Sequence, residues 1–159
     1  MPPTKDRAEL ERLLGDQPFF RGLVPEHLAF LADSADYARF EAGQYLCREG
    51  ERADFFFVLH HGRVALELSQ EEHPVALQSL EAGDVLGWSW LVPPHRWRFN
   101  ARALETTQVI ALDGRRLRAQ CEENHELGYQ LLVRLVQVMT QRLETTRHQL
   151  LANARLPRG

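Results

Sequence analysis

Hydrophobic residues along this chain change their spacing twice. In the first third they recur at helical spacing, in residues 8–14 and again in residues 25–32, where a proline stands at the helix start. Through the middle of the chain the period falls to two, which is typical of β-strands, and then helical spacing returns. The pattern predicts N-terminal helices in residues 1–36, a β domain in 37–113, helices in 114–152 and a tail in 153–159.

The middle part contains short strands separated by glycines. Residues 55–59 are continuously apolar, which indicates a buried strand, and residues 64–68 alternate in character. Further strands are predicted at 75–80 and 109–112. Glycines in turn-like settings punctuate them: Gly43, Gly50, Gly62 and Gly83. Short strands with regular glycines are typical of a jelly-roll β-barrel, so the predicted fold is mainly β with flanking helices. The apolar pair Phe19-Phe20 is expected to pack back on this barrel.

A long helix without proline is predicted from Glu126 to about Leu151. Apolar positions spaced alternately by three and four form a coiled-coil seam. The members of this seam are Tyr129, Leu132, Val136, Met139, Leu143, Thr146 and Leu150. A second stripe of Leu131, Leu135 and Val138 lies on another side and is expected to pack on the barrel. The part from residue 139 to 150 extends about 16 Å at 1.5 Å per residue, past the end of a small barrel. We therefore expect a homodimer through the seam; the alternative is a helix that caps only its own domain.

The segment 87–103 holds all three tryptophans, interleaved with arginines. Tryptophan is costly to expose and arginine is costly to bury unpaired, so the mixture favours a partly enclosed pocket for a flat or anionic ligand. The alternative is a packed strand-loop-strand whose arginines reach to solvent. The candidate ligand-binding residues are Gly87, Trp88, Ser89, Arg96, Trp97 and Arg98.

Composition narrows the functional classes. A net charge of −3 argues against a general nucleic-acid binder. The polar N-terminus has no secretion-signal pattern, and no apolar run approaches the roughly 18 residues of a membrane span, so we expect a cytoplasmic protein without a membrane partner. Cys47 and Cys121 are too few for an iron–sulfur cluster or a structural zinc site, so no metal is expected. A disulfide between them would be unusual in a reducing compartment, and both are expected to be small buried hydrophobes.

The barrel, the short helix at 115–121 and the long helix together resemble the cyclic nucleotide-binding domain of catabolite-activator-type regulators, kinase regulatory subunits and gated channels. The resemblance covers roughly residues 20–151. It is carried by the segments 41–46, 48–54, 56–64 and 81–87, which place the family's glycines in order with strands between them. It implies a phosphate-binding cassette at 87–103 and a cyclic nucleotide or other phosphate-containing ligand.

The cassette departs from the family's pattern at the first of two selective positions. Members that bind cyclic nucleotides place a glutamate just after the equivalent of Gly87, for the ribose hydroxyl. This chain has Trp88, which cannot accept a hydrogen bond. The family's short helix after Gly87 would still offer backbone N–H groups to an anion.

The second selective position is the family's arginine for the cyclic phosphate, at the start of the next strand. Anchored on the segment 101–103, this position is Trp97. Counted forward from Gly87 it is Arg98, and Arg96 stands on the other side. Adjacent strand residues face opposite ways, so the register decides which of the two arginines faces the pocket. Both changes predict weak binding of cyclic AMP.

The leading functional hypothesis is a stand-alone sensory or regulatory module without catalytic activity. It binds a nucleotide-like or other small anion, or a protein partner, and signals through the long helix. Little chain follows Leu151, so we expect no DNA-reading element.

One alternative is a ligand-free interaction domain whose pocket is filled by Trp88, Trp90 and Trp97. A cupin-type metalloenzyme is disfavoured because His60 and His61 are adjacent and point to opposite sides. A haem sensor would need an axial histidine, and no motif selects one.

Overall fold

The computed structural model describes residues 6–70 and 72–154 and is organised as two facing sheets with helices at both chain ends. The helices are α1 (Arg7–Asp16), α2 (Pro25–Asp33), α3 (Gly114–Glu123) and α4 (His125–Ala154), with a 3-10 turn at Pro18–Phe20. The strands are β1 (Ala35–Phe40), β2 (Tyr45–Cys47), β3 (Phe55–His61), β4 (Arg63–Leu68), β5 (Val75–Glu81), β6 (Val85–Leu86), β7 (Asn100–Ala103) and β8 (Thr107–Asp113).

All strand pairs in the described ranges are antiparallel. One sheet has the order β1-β8-β3-β6 and the other has β2-β7-β4-β5. Gly62 forms the turn between β3 and β4, which lie in different sheets; a Cβ there would lie 2.5 Å from Thr107 Oγ1. These features confirm the predicted jelly-roll class, with a long C-terminal helix attached.

The uninterrupted apolar run in β3 is explained by burial on both faces. Phe56 and Val58 pack with the helices, while Phe57 and Leu59 point between the two sheets. A strand covered on both sides loses the alternation that marks a half-solvated one. Phe55 departs from the prediction of a wholly buried run, because it begins the strand and is 45% exposed.

The predicted element boundaries shift by a few residues. The barrel begins at Ala35, which pairs with Leu112, and not at residue 37. Helix α4 continues to Ala154, two residues into the predicted tail, because nothing in the sequence breaks it there. The rest of that tail, residues 155–159, lies outside the described residues, as does the polar stretch 1–5.

Both terminal regions pack on the outer face of the first sheet. The rings of Phe19 and Phe20 lie 5.2 and 6.3 Å from that of Phe56, which confirms the predicted docking of this pair. Leu131 and Leu135 of α4 are buried in the same cluster, and Val138 packs against it. The second stripe of the long helix therefore packs on its own domain, as its spacing predicts.

Candidate ligand-binding cassette

The cassette begins at Gly87, directly after β6, and proceeds through turns. The short helix that the resemblance implied is absent from residues 88–99 of the structure, and this expectation was wrong. Turn hydrogen bonds take its place, from Leu91 N to Trp88 O at 2.9 Å and from His95 N to Val92 O at 2.9 Å. The physical reason lies in Pro93-Pro94, since two successive prolines remove the N–H donors that a helix would need.

The register of the strand after these turns separates the tryptophan from the arginines. Trp97, Phe99, Ala101 and Ala103 all point between the sheets and are buried. Arg96 and Arg98 are exposed. Of the three residues considered for the family's arginine position, Trp97 therefore faces the interior, and Arg96 and Arg98 do not.

The outward side of β7 is anchored by an ion pair. Arg102 contacts the buried carboxylate of Glu67 through two nitrogen–oxygen pairs, at 3.0 and 3.2 Å. The Glu67 carboxylate raises the pKa of the Arg102 guanidinium, chiefly through the hydrogen bond. This pairing faces away from the barrel interior, so it fixes the register without lining a pocket.

Trp97 occupies the space between the sheets. Its indole lies 6.0 Å from the Phe57 ring with planes 18° apart, and 6.0 Å from the Phe99 ring. It also lies against Gly87, where a Cβ would come within 2.8 Å of the indole Cη2. Gly87 has a φ of +106°, which glycine adopts without strain. The tryptophan thus fills the place that an inward-facing arginine side chain would share with a ligand.

Trp88 is half-buried at the edge of the same aromatic group. Its ring lies 6.0 Å from that of Phe99, and the Arg142 guanidinium carbon lies 5.6 Å from its centroid. Arg142 belongs to α4 and also donates through Nη2 to the Val85 carbonyl. Burial lowers the pKa of Arg142 to about 10, and the Asp84 carboxylate opposes that shift.

Sequence reasoning missed Arg142. The spacing of Leu131, Leu135 and Val138 continues to position 142, so the helical stripe that packs on the barrel contained the signal. An arginine at the end of an apolar stripe that packs on the barrel is expected to place its guanidinium group against the barrel surface.

Trp90 and Ser89 lie away from the space between the sheets. Trp90 is fully buried against Phe56, with ring centroids 5.6 Å apart and planes 22° apart. Its Nε1 donates to the Gly87 carbonyl at 3.1 Å, which fixes the turn. The Ser89 hydroxyl is buried and has no hydrogen-bond partner within the described residues.

Arg96 holds the cassette loop to a neighbouring turn. Its Nη1 donates to the Gly50 carbonyl at 2.8 Å. The backbone adds a Trp97 N to Glu51 O bond and a Gly50 N to Trp97 O bond, each 2.8 Å. This arginine therefore has a structural contact, while its charge stays at the surface.

Elsewhere, the described residues form two cavities that none of the six candidate residues lines. The larger, about 600 Å³, lies between α4, the 3-10 turn and the β5–β6 turn. The smaller, about 430 Å³, lies beneath Leu91, between α3 and the start of α4. The first is lined mainly by polar and charged side chains. At the cassette, the rings of Trp97 and Phe99 pack together between the sheets, and the Trp88 ring lies 6.0 Å from that of Phe99.

The predicted coiled-coil seam is exposed along its whole length. Tyr129 is 65% exposed and Leu143 61%, and the other five seam residues are also solvent-accessible. This surface is available to a second helix.

The described residues offer no metal site, no disulfide and no membrane-spanning helix. No group of three or more histidine, cysteine or acidic side chains could hold a metal ion there. Both cysteines are free thiols, and burial raises the pKa of Cys47 to about 12. In the same part of the chain, none of the helices has the length and apolar character needed to span a membrane.

Comparison with known proteins identifies the family. A family model described as the cyclic nucleotide-binding domain matches residues 37–124. The chain belongs to this family.

The chain is 33% identical over 106 residues to the cAMP-dependent protein kinase regulatory subunit of Emericella nidulans; the match covers 67% of this chain and 25% of that protein. The cGMP-dependent protein kinase egl-4 of Caenorhabditis elegans is 29% identical over 82 residues, which are 50% of this chain and 10% of the kinase. The chain therefore spans a quarter or less of these relatives.

Solved structures agree with the family assignment. A protein of Geobacter metallireducens GS-15, named as a cyclic nucleotide-binding protein, superimposes with a TM-score of 0.76 at 30% identity, covering 84% of this chain and 97% of that one. The sensor domain of the transcriptional regulator DNR from Pseudomonas aeruginosa gives a TM-score of 0.70 at 24% identity, covering 87% and 93%. The second likeness is one of fold alone.

Proposed function

We propose that this cyclic nucleotide-binding domain is a regulatory module whose cassette binds a nucleotide-like anion weakly and in a non-classical manner. The observation that carries this proposal is the inward position of Trp97 between exposed Arg96 and Arg98. An arginine that faces the barrel can pair with a cyclic phosphate inside it, whereas these two can meet an anion only at the rim. Membership of the family supports nucleotide chemistry, and the altered residues support weak binding.

Signalling through α4 is the second part of the proposal. The first half of this helix is anchored by buried leucines, whereas the second half contacts the barrel through polar side chains. Gln78 Nε2 donates to the Arg142 carbonyl at 3.2 Å, and Gln149 Nε2 donates to the Leu77 carbonyl at 2.9 Å. The first of these hydrogen bonds is part-buried and the second is exposed. Hydrogen bonds of this kind contribute only about 0.5–1.5 kcal/mol each, so the second half can detach without unfolding the barrel. We propose that α4 also forms a homodimer through the seam of residues 129–150, in a cytoplasmic protein.

A ligand-free interaction domain is the second candidate, and one observation favours it. Trp97 and Phe99 fill the space between the sheets, with Trp88 at its edge, so the domain is packed without a ligand. Titration of cyclic AMP and cyclic GMP, followed by tryptophan fluorescence, separates the candidates. Saturation at high micromolar to millimolar concentration supports weak binding, and no saturation at all supports the ligand-free domain. Submicromolar saturation would overturn both.

A further inference from the structure

The larger cavity carries a positive charge that the cassette does not use. Three arginines and one aspartate are its charged lining residues: Arg21, Asp84, Arg134 and Arg142. Amides of Gln78, Gln137 and Gln141 add neutral donors and acceptors. A volume of about 600 Å³ falls within the usual range of small-molecule sites.

Hydrogen bonding leaves this positive charge partly uncompensated. Arg142 donates to the Val85 carbonyl through Nη2, but its Nη1 is buried and has no acceptor within the described residues. Asp84 attracts Arg142, yet its Oδ2 accepts from the Glu81 N–H at 2.8 Å. A buried guanidinium nitrogen without an acceptor is unfavourable, and an oxyanion is the group that satisfies it best.

A second arginine is held rigidly on the same helix face. Arg134 Nη2 donates to the Arg21 carbonyl at 2.7 Å, and its Nη1 donates to Gln130 Oε1 at 2.7 Å. It stands two helical turns from Arg142, which is about 12 Å along the axis. Within the described residues neither arginine forms a salt bridge, and the Asp84 carboxylate acts on Arg142 only through a longer-range attraction. Both arginines therefore bring positive charge to the lining of the cavity.

We propose that this cavity is a binding site for a small organic molecule that carries an oxyanion, with the phosphate or carboxylate group at Arg142. The cavity adjoins the cassette, where Arg142 lies over Trp88, but none of the six cassette candidates lines it, so the proposal goes beyond the proposed function. A molecule bound there touches α4 on one side and the β5–β6 turn on the other. Its occupancy therefore stabilises the docked position of α4.

The indole N–H of Trp88 reports on this site, because the guanidinium of Arg142 lies over its ring. Nuclear magnetic resonance separates the three indole signals, each assigned with a tryptophan-to-phenylalanine variant. The probes are inorganic phosphate, adenosine 5′-monophosphate and citrate, which distinguish phosphate from carboxylate chemistry. We expect a saturable shift of the Trp88 signal with at least one probe, and a smaller shift of the buried Trp90 signal.

Three variants that each lower the net charge by one identify the site. Arg142→Gln and Gln141→Glu should weaken binding about tenfold or more, since each removes or opposes the charge at the cavity. Arg147→Gln, on the same helix but paired with Glu144 at the surface, should leave binding unchanged. If Arg142→Gln does not fold, the effect of Gln141→Glu on binding tests the proposal by itself. Position 141 is exposed, so this substitution should not disturb folding.

Arg96→Gln separates this site from the cassette. Oxyanion binding at the α4 cavity should survive that variant even if the cassette binds nothing. The proposal is overturned if no probe gives a saturable shift at millimolar concentration. It is also overturned if binding is unaffected by Arg142→Gln, or by Gln141→Glu, or is lost in Arg96→Gln.

Discussion

The indole of Trp97 lies directly against the α-carbon of Gly87, so that a Cβ on this glycine would come within 2.8 Å of the ring. The contact couples the positive φ of the cassette turn to the aromatic packing between the sheets. Gly87 thus has two separate reasons to be glycine, one conformational and one steric.

Replacing Gly87 by alanine introduces both the backbone strain and the contact with the indole, and a control variant separates the two effects on stability. The backbone strain should lower the free energy of unfolding by about 1–3 kcal/mol, and the contact with Trp97 by a further 1–3 kcal/mol. Gly43→Ala is the matched control, because Gly43 has a φ of +91° but open space around it. Urea denaturation measures both variants. Equal losses would mean that the indole moves aside and that the contact is not restrictive.

Cyclic nucleotide binding should depend on the rim arginines more than on Trp88. Arg96→Ala and Arg98→Ala remove charge that an anion at the cassette rim would meet, so each should weaken any measurable cyclic AMP binding about tenfold. Trp88→Phe keeps an aromatic ring and should change affinity by less than either. Calorimetric titration is suitable, since it does not rely on the tryptophans. A larger effect of Trp88→Phe would place the ligand away from the rim.

The seam of α4 should hold two copies together. Met139→Glu combined with Leu143→Glu places like charges at the centre of the helix pair, and light scattering should then report a folded monomer. The double variant Gln141→Glu, His148→Glu adds the same charge to the opposite side of α4 and should remain dimeric. If the seam variant stays dimeric, another surface forms the interface.

Hydrogen exchange should distinguish the two halves of α4. Amides of residues 127–136 lie beside the buried leucines and should exchange slowly. Amides of residues 145–154 should exchange faster, and faster still in Gln149→Ala, which removes the bond to the Leu77 carbonyl. His148→Ala is the control, because it alters an exposed neighbour. Uniform protection along α4 would contradict a detachable second half.

Cys47 should make stability fall at alkaline pH. Burial raises the pKa of this thiol from 9.0 to about 12, so the folded protein keeps a proton that the unfolded chain releases. The contribution is complete below pH 9 and is lost as the pH rises from 9 toward 12. Melting temperatures across this range should fall less steeply in Cys47→Ala. An unchanged slope would show that other groups control the alkaline loss. Cys121→Ala, at the less buried thiol, is the comparison.

Local periodicity was sufficient for the architecture. The residues that alternate in β4 and the two stripes of α4 predicted which faces meet a core, because side chains repeat every two residues in a strand and every 3.6 in a helix. The four turn glycines were likewise identifiable, and each adopts positive φ. These features depend on neighbours along the chain, so the sequence alone determined the jelly-roll class and the packed and exposed sides of the long helix.

The candidate site depended on the tertiary structure. The stretch from Trp88 to Phe99 consists of turns without a repeating pattern, so only the pairing of β7 with its neighbours decided that Trp97 points inward and that Arg96 and Arg98 point out. Arg142 reaches Trp88 from a distant helix, and its place follows from how α4 docks on the barrel. A one-residue shift in register reverses a side chain, and contacts between distant segments have no local signature. For these physical reasons the folded structure, and not the sequence, determined the chemistry of the cassette.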